Sequence, residues 1–169
     1  ATNLMPDRDG YHVYWTHLRV EAGGSSASRS LEPGDVIPVP VAHAEGRFVT
    51  AEEGLVETLF ERGQVVMTYS CPHGGPAGGF PRNPNGSARD VAGVCDPTGR
   101  IFGLMPHPER HVQGTQHPQR SSWLFQVPGN LEGGWGARRR EMSGAWELSE
   151  PGPGEAVFRS LVDYCRAGS

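Results

Sequence analysis

The chain has 169 residues, 36% hydrophobic and 20% charged, which is enough apolar mass for one domain with a core and too little charge for disorder throughout. Its net charge is −4 and all 15 basic residues are arginine, so it offers no basic field for nucleic acid and no lysine for a Walker phosphate loop, a Schiff base or a general base. The 24 glycines and 15 prolines predict a loop-rich fold, and no apolar stretch approaches the ~20 residues that span a bilayer.

In chain order, nothing resembling a first strand precedes Leu4-Met5-Pro6, and the chain reads as one entered partway through. Residues 11–21 alternate as a strand with one buried face, and the polar Gly-Ser stretch 23–30 reads as a loop. After the Pro33-Gly34-Asp35 turn signal, the apolar run 36–42 carries prolines at 38 and 40, which predict an edge strand or a bulge. That run delivers a His-x-Glu pair, His43-Ala44-Glu45, followed by Gly46. Thr50 and Glu53 have the spacing of a capping box ahead of a helix through Leu55, Val56, Leu59 and Phe60, closed by Gly63.

Residues 64–69 predict a strand and 72–84 a Gly/Pro-rich loop, with Cys71 just before Pro72. Asn83-Pro84-Asn85-Gly86-Ser87 is a tight turn whose polar side chains shape the loop or grip a polar ligand. Residues 91–95 and 101–105 flank Asp96-Pro97-Thr98-Gly99 in the pattern of a β-hairpin. Residues 112–154 form a long loop or insertion without clear period, containing Trp123, Trp135 and Trp146, and the arginine run 138–140 reads as a solvated turn. A last helix over 155–165 places Val157, Phe158, Leu161, Val162 and Cys165 on one face, to dock on the sheet. The cysteines at 71, 95 and 165 form no Cys-x-x-Cys pair, which suits a reducing, cytoplasmic setting.

The segment on which chemistry concentrates is Met105-Pro106-His107-Pro108-Glu109-Arg110, at the end of the short, buried run 101–105. The two prolines fix φ and favour extended neighbours, so His107 and Glu109 are expected on a stiff, non-helical ledge with both side chains on one side. A histidine with an adjacent carboxylate is the base half of a nucleophile-base-orienter triad. His43, Glu45, His107, Glu109, His111 and His117 are equally adequate donors for zinc or iron, which leaves a metal-binding protein as a rival reading. A non-catalytic interaction module is a third.

With IPVPVAHAEGRF (37–48), NPNGS (83–87), residues 91–97 and GLMPHPER (103–110) in this order, the chain resembles the glutaminase subunit or domain of phosphoribosylformylglycinamidine synthase, a class I glutamine amidotransferase. The NPNGS and HAEGRF stretches argue against a γ-glutamyl hydrolase of the same fold class. The resemblance implies an α/β sheet flanked by helices and a Cys-His-Glu triad in which His107 is the base and Glu109 its orienting carboxylate, with His43, Glu45 and Gly46 near the glutamine site. It also implies ammonia transfer to a formylglycinamide ribonucleotide synthetase partner, which would hold ATP and Mg, with no cofactor in this domain. None of the three cysteines has the setting of the family's nucleophile, so residues 1–169 read as a single partial domain, its N-terminal portion missing, inactive by itself.

Overall fold

The computed structural model describes residues 11–120 and 151–168. The expectations for Leu4-Met5-Pro6, Trp123, Trp135, Trp146 and the arginine run lie outside them. Five strands, β1 (His12–Val20), β2 (Val36–His43), β3 (Val65–Ser70), β4 (Val91–Cys95) and β5 (Phe102–Leu104), form one antiparallel sheet in the order β2-β1-β3-β4-β5. Two α-helices accompany it among the described residues, α1 (Leu55–Glu61) and α2 (Glu155–Arg166). None of the described helices is long and apolar enough to cross a membrane.

The sheet is arranged by its prolines. β2 is an edge strand, with Pro38 opposite His17 and Pro40 opposite Trp15 on β1. In an antiparallel pair, alternate residues aim their backbone groups away from the partner, and a proline there removes no ladder bond. Leu18 lies opposite both Ile37 on β2 and Tyr69 on β3, and these three pack with Val39, Val41 and Met67 in the main core. A smaller cluster places Val56 of α1 on Val65 and Val91, with Leu59 and Phe60 against it. A buried apolar side chain of this size stabilises by roughly 1.5–3 kcal/mol, against ~0–1 kcal/mol for an exposed ion pair. Apolar packing, and not the exposed Arg89–Glu57 bridge, therefore holds α1 on the sheet.

Several local expectations change. The capping box does not form: the chain enters α1 through Gly54 at φ +78, so Thr50 and Glu53 both lie before the helix, and the Thr50 hydroxyl donates to the Glu52 carbonyl. The Gly-Ser loop contains a buried 3-10 turn, Ser26–Ser28, and this turn is what α2 packs on. Ser160 lies fully buried there and accepts from the Ser30 amide at 2.9 Å, while Arg29 covers the Tyr164 ring. Docking through Val157 and Ser160 rotates the expected apolar face outward, leaving Phe158, Leu161, Val162 and Cys165 exposed. The run ahead of the ledge is likewise less buried than expected. Its strand is only Phe102–Leu104, at the other sheet edge, and Ile101 is 73% exposed.

The β4–β5 hairpin forms as expected, and its turn is organised by one carboxylate. Asp96 accepts from the amides of Thr98, Arg100 and Ile101 and from the Thr98 hydroxyl. Those bonds, with Thr98's hydroxyl foremost, hold the Asp96 pKa down to about 2. Gly99 closes the turn at φ +69, where an added Cβ would sit 2.0 Å from the Gly24 carbonyl oxygen. Gly99→Ala is expected to lower unfolding free energy by roughly 2–3 kcal/mol in urea titrations. Gly24→Ala, with open space at its Cβ, should stay within about 0.5 kcal/mol of the parent.

Candidate functional site

The ledge leaves β5 through Met105, whose amide donates to the Ala92 carbonyl, and reaches His107 at φ −108, ψ 83. From there the chain does not stay extended, because Pro108 starts a 3-10 turn, Pro108–His111. Proline suits the first position of such a turn, where its missing N–H has no partner to lose. The turn, and not alternation along a strand, folds Glu109 back onto the histidine. His107 Nδ1 and Glu109 Oε1 are 2.6 Å apart. A carboxylate oxygen accepts, so Nδ1 carries the proton and the neutral ring presents the Nε2 lone pair. The His107 side chain is 30% exposed. None of the three cysteines, all within the described residues, forms a hydrogen bond to it.

The ledge is tied to β2 at the opposite edge of the sheet, through the His107 amide, which donates to the Pro40 carbonyl at 2.8 Å. This contact brings the second His-x-Glu pair to the same corner. His43 ends β2, 7% exposed, directly opposite His12 of β1. Burial, then the nearby rings of His107 and His12, lowers the His43 pKa and keeps that ring neutral. Glu45 is exposed, and with Gly46, Arg47, Leu104 and Met105 it lines a hollow of about 330 Å³.

The wall behind His43 is built by the Asn-Pro-Asn-Gly-Ser turn, as a shaping network. Asn85 is fully buried. Its Nδ2 donates to the Gly46 carbonyl at 2.9 Å and lies 3.3 Å from the Tyr69 hydroxyl and 3.4 Å from His43 Nε2. Its Oδ1 accepts from both the amide and the hydroxyl of Ser87. Ser87 in turn accepts from the Phe48 amide, and Arg47 donates to the Gly86 carbonyl. Tyr69 belongs to the same buried group, and burial pushes its phenol pKa up. Gly46 fits because it lacks a side chain: a Cβ would stand 2.6 Å from both the His43 ring and the Met105 sulfur. Three motifs separated by up to sixty residues thus meet through named atoms.

The His111 and His117 rings turn to the other face of the sheet. Both pack on Trp15, with ring centroids 5.0 and 4.6 Å away, and Trp15 projects from the sheet face opposite to His12 and its partner His43. The metal-ligand set of His43, Glu45, His107, Glu109, His111 and His117 is thereby split. Among the described residues no group of three or more His, Cys, Asp or Glu side chains is arranged to hold a metal ion. Of the side chains near the site, His12 is the one that sequence reasoning missed, and the β1–β2 register was the missing information. Gly46 is expected beside His43 and Glu45 from the resemblance, and His111 is read from sequence only as a metal donor.

A sequence model of the CobB/CobQ-like glutamine amidotransferase domain matches residues 6–165. Phosphoribosylformylglycinamidine synthase subunit PurQ of Methanothrix thermoacetophila is 39% identical over 159 residues, covering 93% of this chain and 52% of that protein. Its namesake from Frankia casuarinae is 45% identical over 101 residues, covering 60% of this chain and 39% of that one. In the solved structure of PurLQS from Thermotoga maritima, one chain shares the fold at a TM-score of 0.57 and 24% identity, over 97% of this chain and 51% of that chain. The chain spans about half the length, or less, of the curated relatives it matches.

Two measurements test this geometry. Gly46→Ala should push the His43 ring and the Met105 thioether apart and lower unfolding free energy by roughly 1–3 kcal/mol. An unchanged urea midpoint would mean the two motifs are not in contact. The second concerns acid. Burial holds His17 and His117 down to about 4, and lowers His43 and His111 as well. The unfolded chain takes up these protons near ~6.5, so it binds more protons than the fold below that pH. Stability should therefore be level above about pH 7.5 and fall from about pH 6.5 toward 4, above the range in which Asp96 titrates. A urea midpoint that rises between pH 7 and 5 would contradict the burial of these rings.

Proposed function

Because the chain belongs to the CobB/CobQ-like glutamine amidotransferase domain family, we propose that it carries the base half of a glutaminase site, with His107 as general base and Glu109 as its orienting carboxylate. The observation that carries this reading is the 2.6 Å His107–Glu109 bond on a ledge anchored to β2, with Nε2 making no hydrogen bond among the described residues. In the proposed chemistry, Nε2 takes the proton of a cysteine thiol while the thiolate attacks the side-chain amide carbon of glutamine. The imidazolium returns that proton to the departing nitrogen, releasing ammonia and leaving a thioester. Water, deprotonated by the same ring, then hydrolyses the thioester to glutamate. Glu109 holds the Nδ1–H tautomer throughout and stabilises the imidazolium.

The thiol is not one of the three cysteines of this chain. Cys71 lies in a loop where its sulfur accepts from the Gly75 amide, Cys95 is buried in β4 and Cys165 is on the outer face of α2. Nucleophile and oxyanion donors would come from outside these 169 residues. His43 would form the neutral wall of the glutamine site and Glu45 its charged edge, beside the 330 Å³ hollow. The relatives named as phosphoribosylformylglycinamidine synthase subunit PurQ and the PurLQS structure support a synthetase partner. In this reading the partner amidates formylglycinamide ribonucleotide and would itself hold ATP and Mg, with no cofactor assigned to this domain. We place the domain in the cytoplasm, where its free cysteines stay reduced.

The test is glutamine-dependent ammonia release. The 169-residue chain should release none, since without oxyanion donors and thiolate the intermediate loses several kcal/mol of stabilisation. A fusion in which this chain replaces the matching segment of the Methanothrix thermoacetophila relative should be active. In that fusion His107→Ala should abolish turnover and Glu109→Ala should leave a weak residue of it, because an orienting group contributes less than the base. Ammonia release by the chain alone, or a fusion indifferent to His107→Ala, would refute the assignment.

A further inference from the structure

We propose that His111 is a positioning residue for this site: its ring suspends the turn that carries Glu109 from the edge of β2 and so fixes the tautomer and direction of His107. The ring is 1% exposed, and its Nδ1 donates to the Pro38 carbonyl at 2.7 Å. A carbonyl can only accept, so the proton is on Nδ1, and Nε2 is buried without a hydrogen-bond partner. One polar bond is therefore what the imidazole contributes, and it is made to a single backbone acceptor.

The place of that acceptor gives the bond its meaning. Pro38 and Pro40 lie on β2 with their backbone groups aimed away from β1, and neither has an N–H. The edge therefore offers carbonyls without competing donors. The His107 amide takes the one at Pro40 and the His111 ring the one at Pro38. These two bonds bracket Glu109 from both sides in sequence. The far side of the turn is clamped as well. Gly154 donates to the His111 carbonyl at 3.0 Å and Gly152 to the Val112 carbonyl at 2.8 Å. A Cβ on Gly152 would stand 2.3 Å from the His111 carbonyl oxygen, and one on Gly154 2.2 Å from that of Pro108. The imidazole is seated edge-on against Trp15, with His117 closing over it at 5.3 Å. With the ring bond gone, the turn keeps its clamp to the start of α2 but loses one of its two holds on the strand that ends at His43. Glu109 then moves relative to His107.

The role rests on the glutaminase reading for its effect on turnover, but not for its effect on the His107 ring, and the experiment separates the two. In the ¹⁵N-labelled 169-residue chain, without glutamine, the neutral His107 ring should show the Nδ1–H tautomer that the Glu109 bond imposes. His111→Asn places an amide N–H near the Nδ1 position and should keep that tautomer. His111→Gln, of closer volume, carries its N–H near the Nε2 position and should lose it, the ring relaxing to a mixture dominated by Nε2–H. In the active fusion, His111→Gln should lower kcat by roughly 10- to 100-fold with KM for glutamine within about twofold, and His111→Asn should restore kcat to within about threefold. Retention of the Nδ1–H tautomer in both variants, or its loss in both, overturns the proposal. A fusion that never hydrolyses glutamine, with the tautomer shift as stated, refutes the function proposed above and leaves the positioning role standing.

Discussion

The candidate site depends on one stretch of strand edge, at Pro38 and Pro40, that accepts hydrogen bonds and cannot donate them. An ordinary edge strand alternates N–H and C=O groups, and a chain laid along it must match both. Prolines at 38 and 40 delete the donors at two successive outward positions, so this part of β2 can be met by a turn that brings donors alone. One comes from the backbone of His107 and one from the ring of His111. Each such bond nets only about 0.5–1.5 kcal/mol, but a buried carbonyl left bare costs about 1–3 kcal/mol. The cost of misplacement, more than the strength of the bonds, holds the ledge in register.

The same asymmetry explains Asn85. A fully buried amide with both polar atoms engaged adds little net stability, yet each of its partners becomes costly to move. The partners are the backbone at Gly46, the Ser87 hydroxyl and the Tyr69 phenol, with the His43 ring alongside. A neutral His43, kept so by burial, is compatible with this wall, whereas a charged ring would add repulsion toward His107. The corner therefore contains one histidine whose second ring nitrogen makes no hydrogen bond among the described residues and another held neutral beside it.

Much of this was legible in the sequence, for identifiable reasons. Strand positions followed from two-residue alternation, and the edge place of β2 followed from its prolines, because those signals are local. The His107–Glu109 pair is legible in the spacing, but the physical reason differs from the expected one: proline predicts extension there, whereas at the first position of a 3-10 turn it starts the turn that closes the contact. Where tertiary packing decides, local patterns misled. The moment of α2 pointed Phe158, Leu161 and Val162 inward, but the Ser26–Ser28 turn and the clasp at Gly152 and Gly154 set the helix on Val157 and Ser160. The six metal donors looked like a set because sequence does not show which sheet face a residue leaves from, and Trp15 and His12 leave from opposite ones.

The bare edge of β2 also makes the docking of the ledge unusually easy to watch. Prolines have no exchangeable amide, so positions 38 and 40 are silent to deuterium. The His107 amide, bonded to one of their carbonyls, reports from the other side of that contact. Its protection against exchange measures how often the ledge lifts from the strand, separately from unfolding of the sheet, whose inner amides on β3 open on their own schedule. A single backbone proton thus serves as a gauge of site assembly, readable in the chain with no substrate, partner or chemistry present.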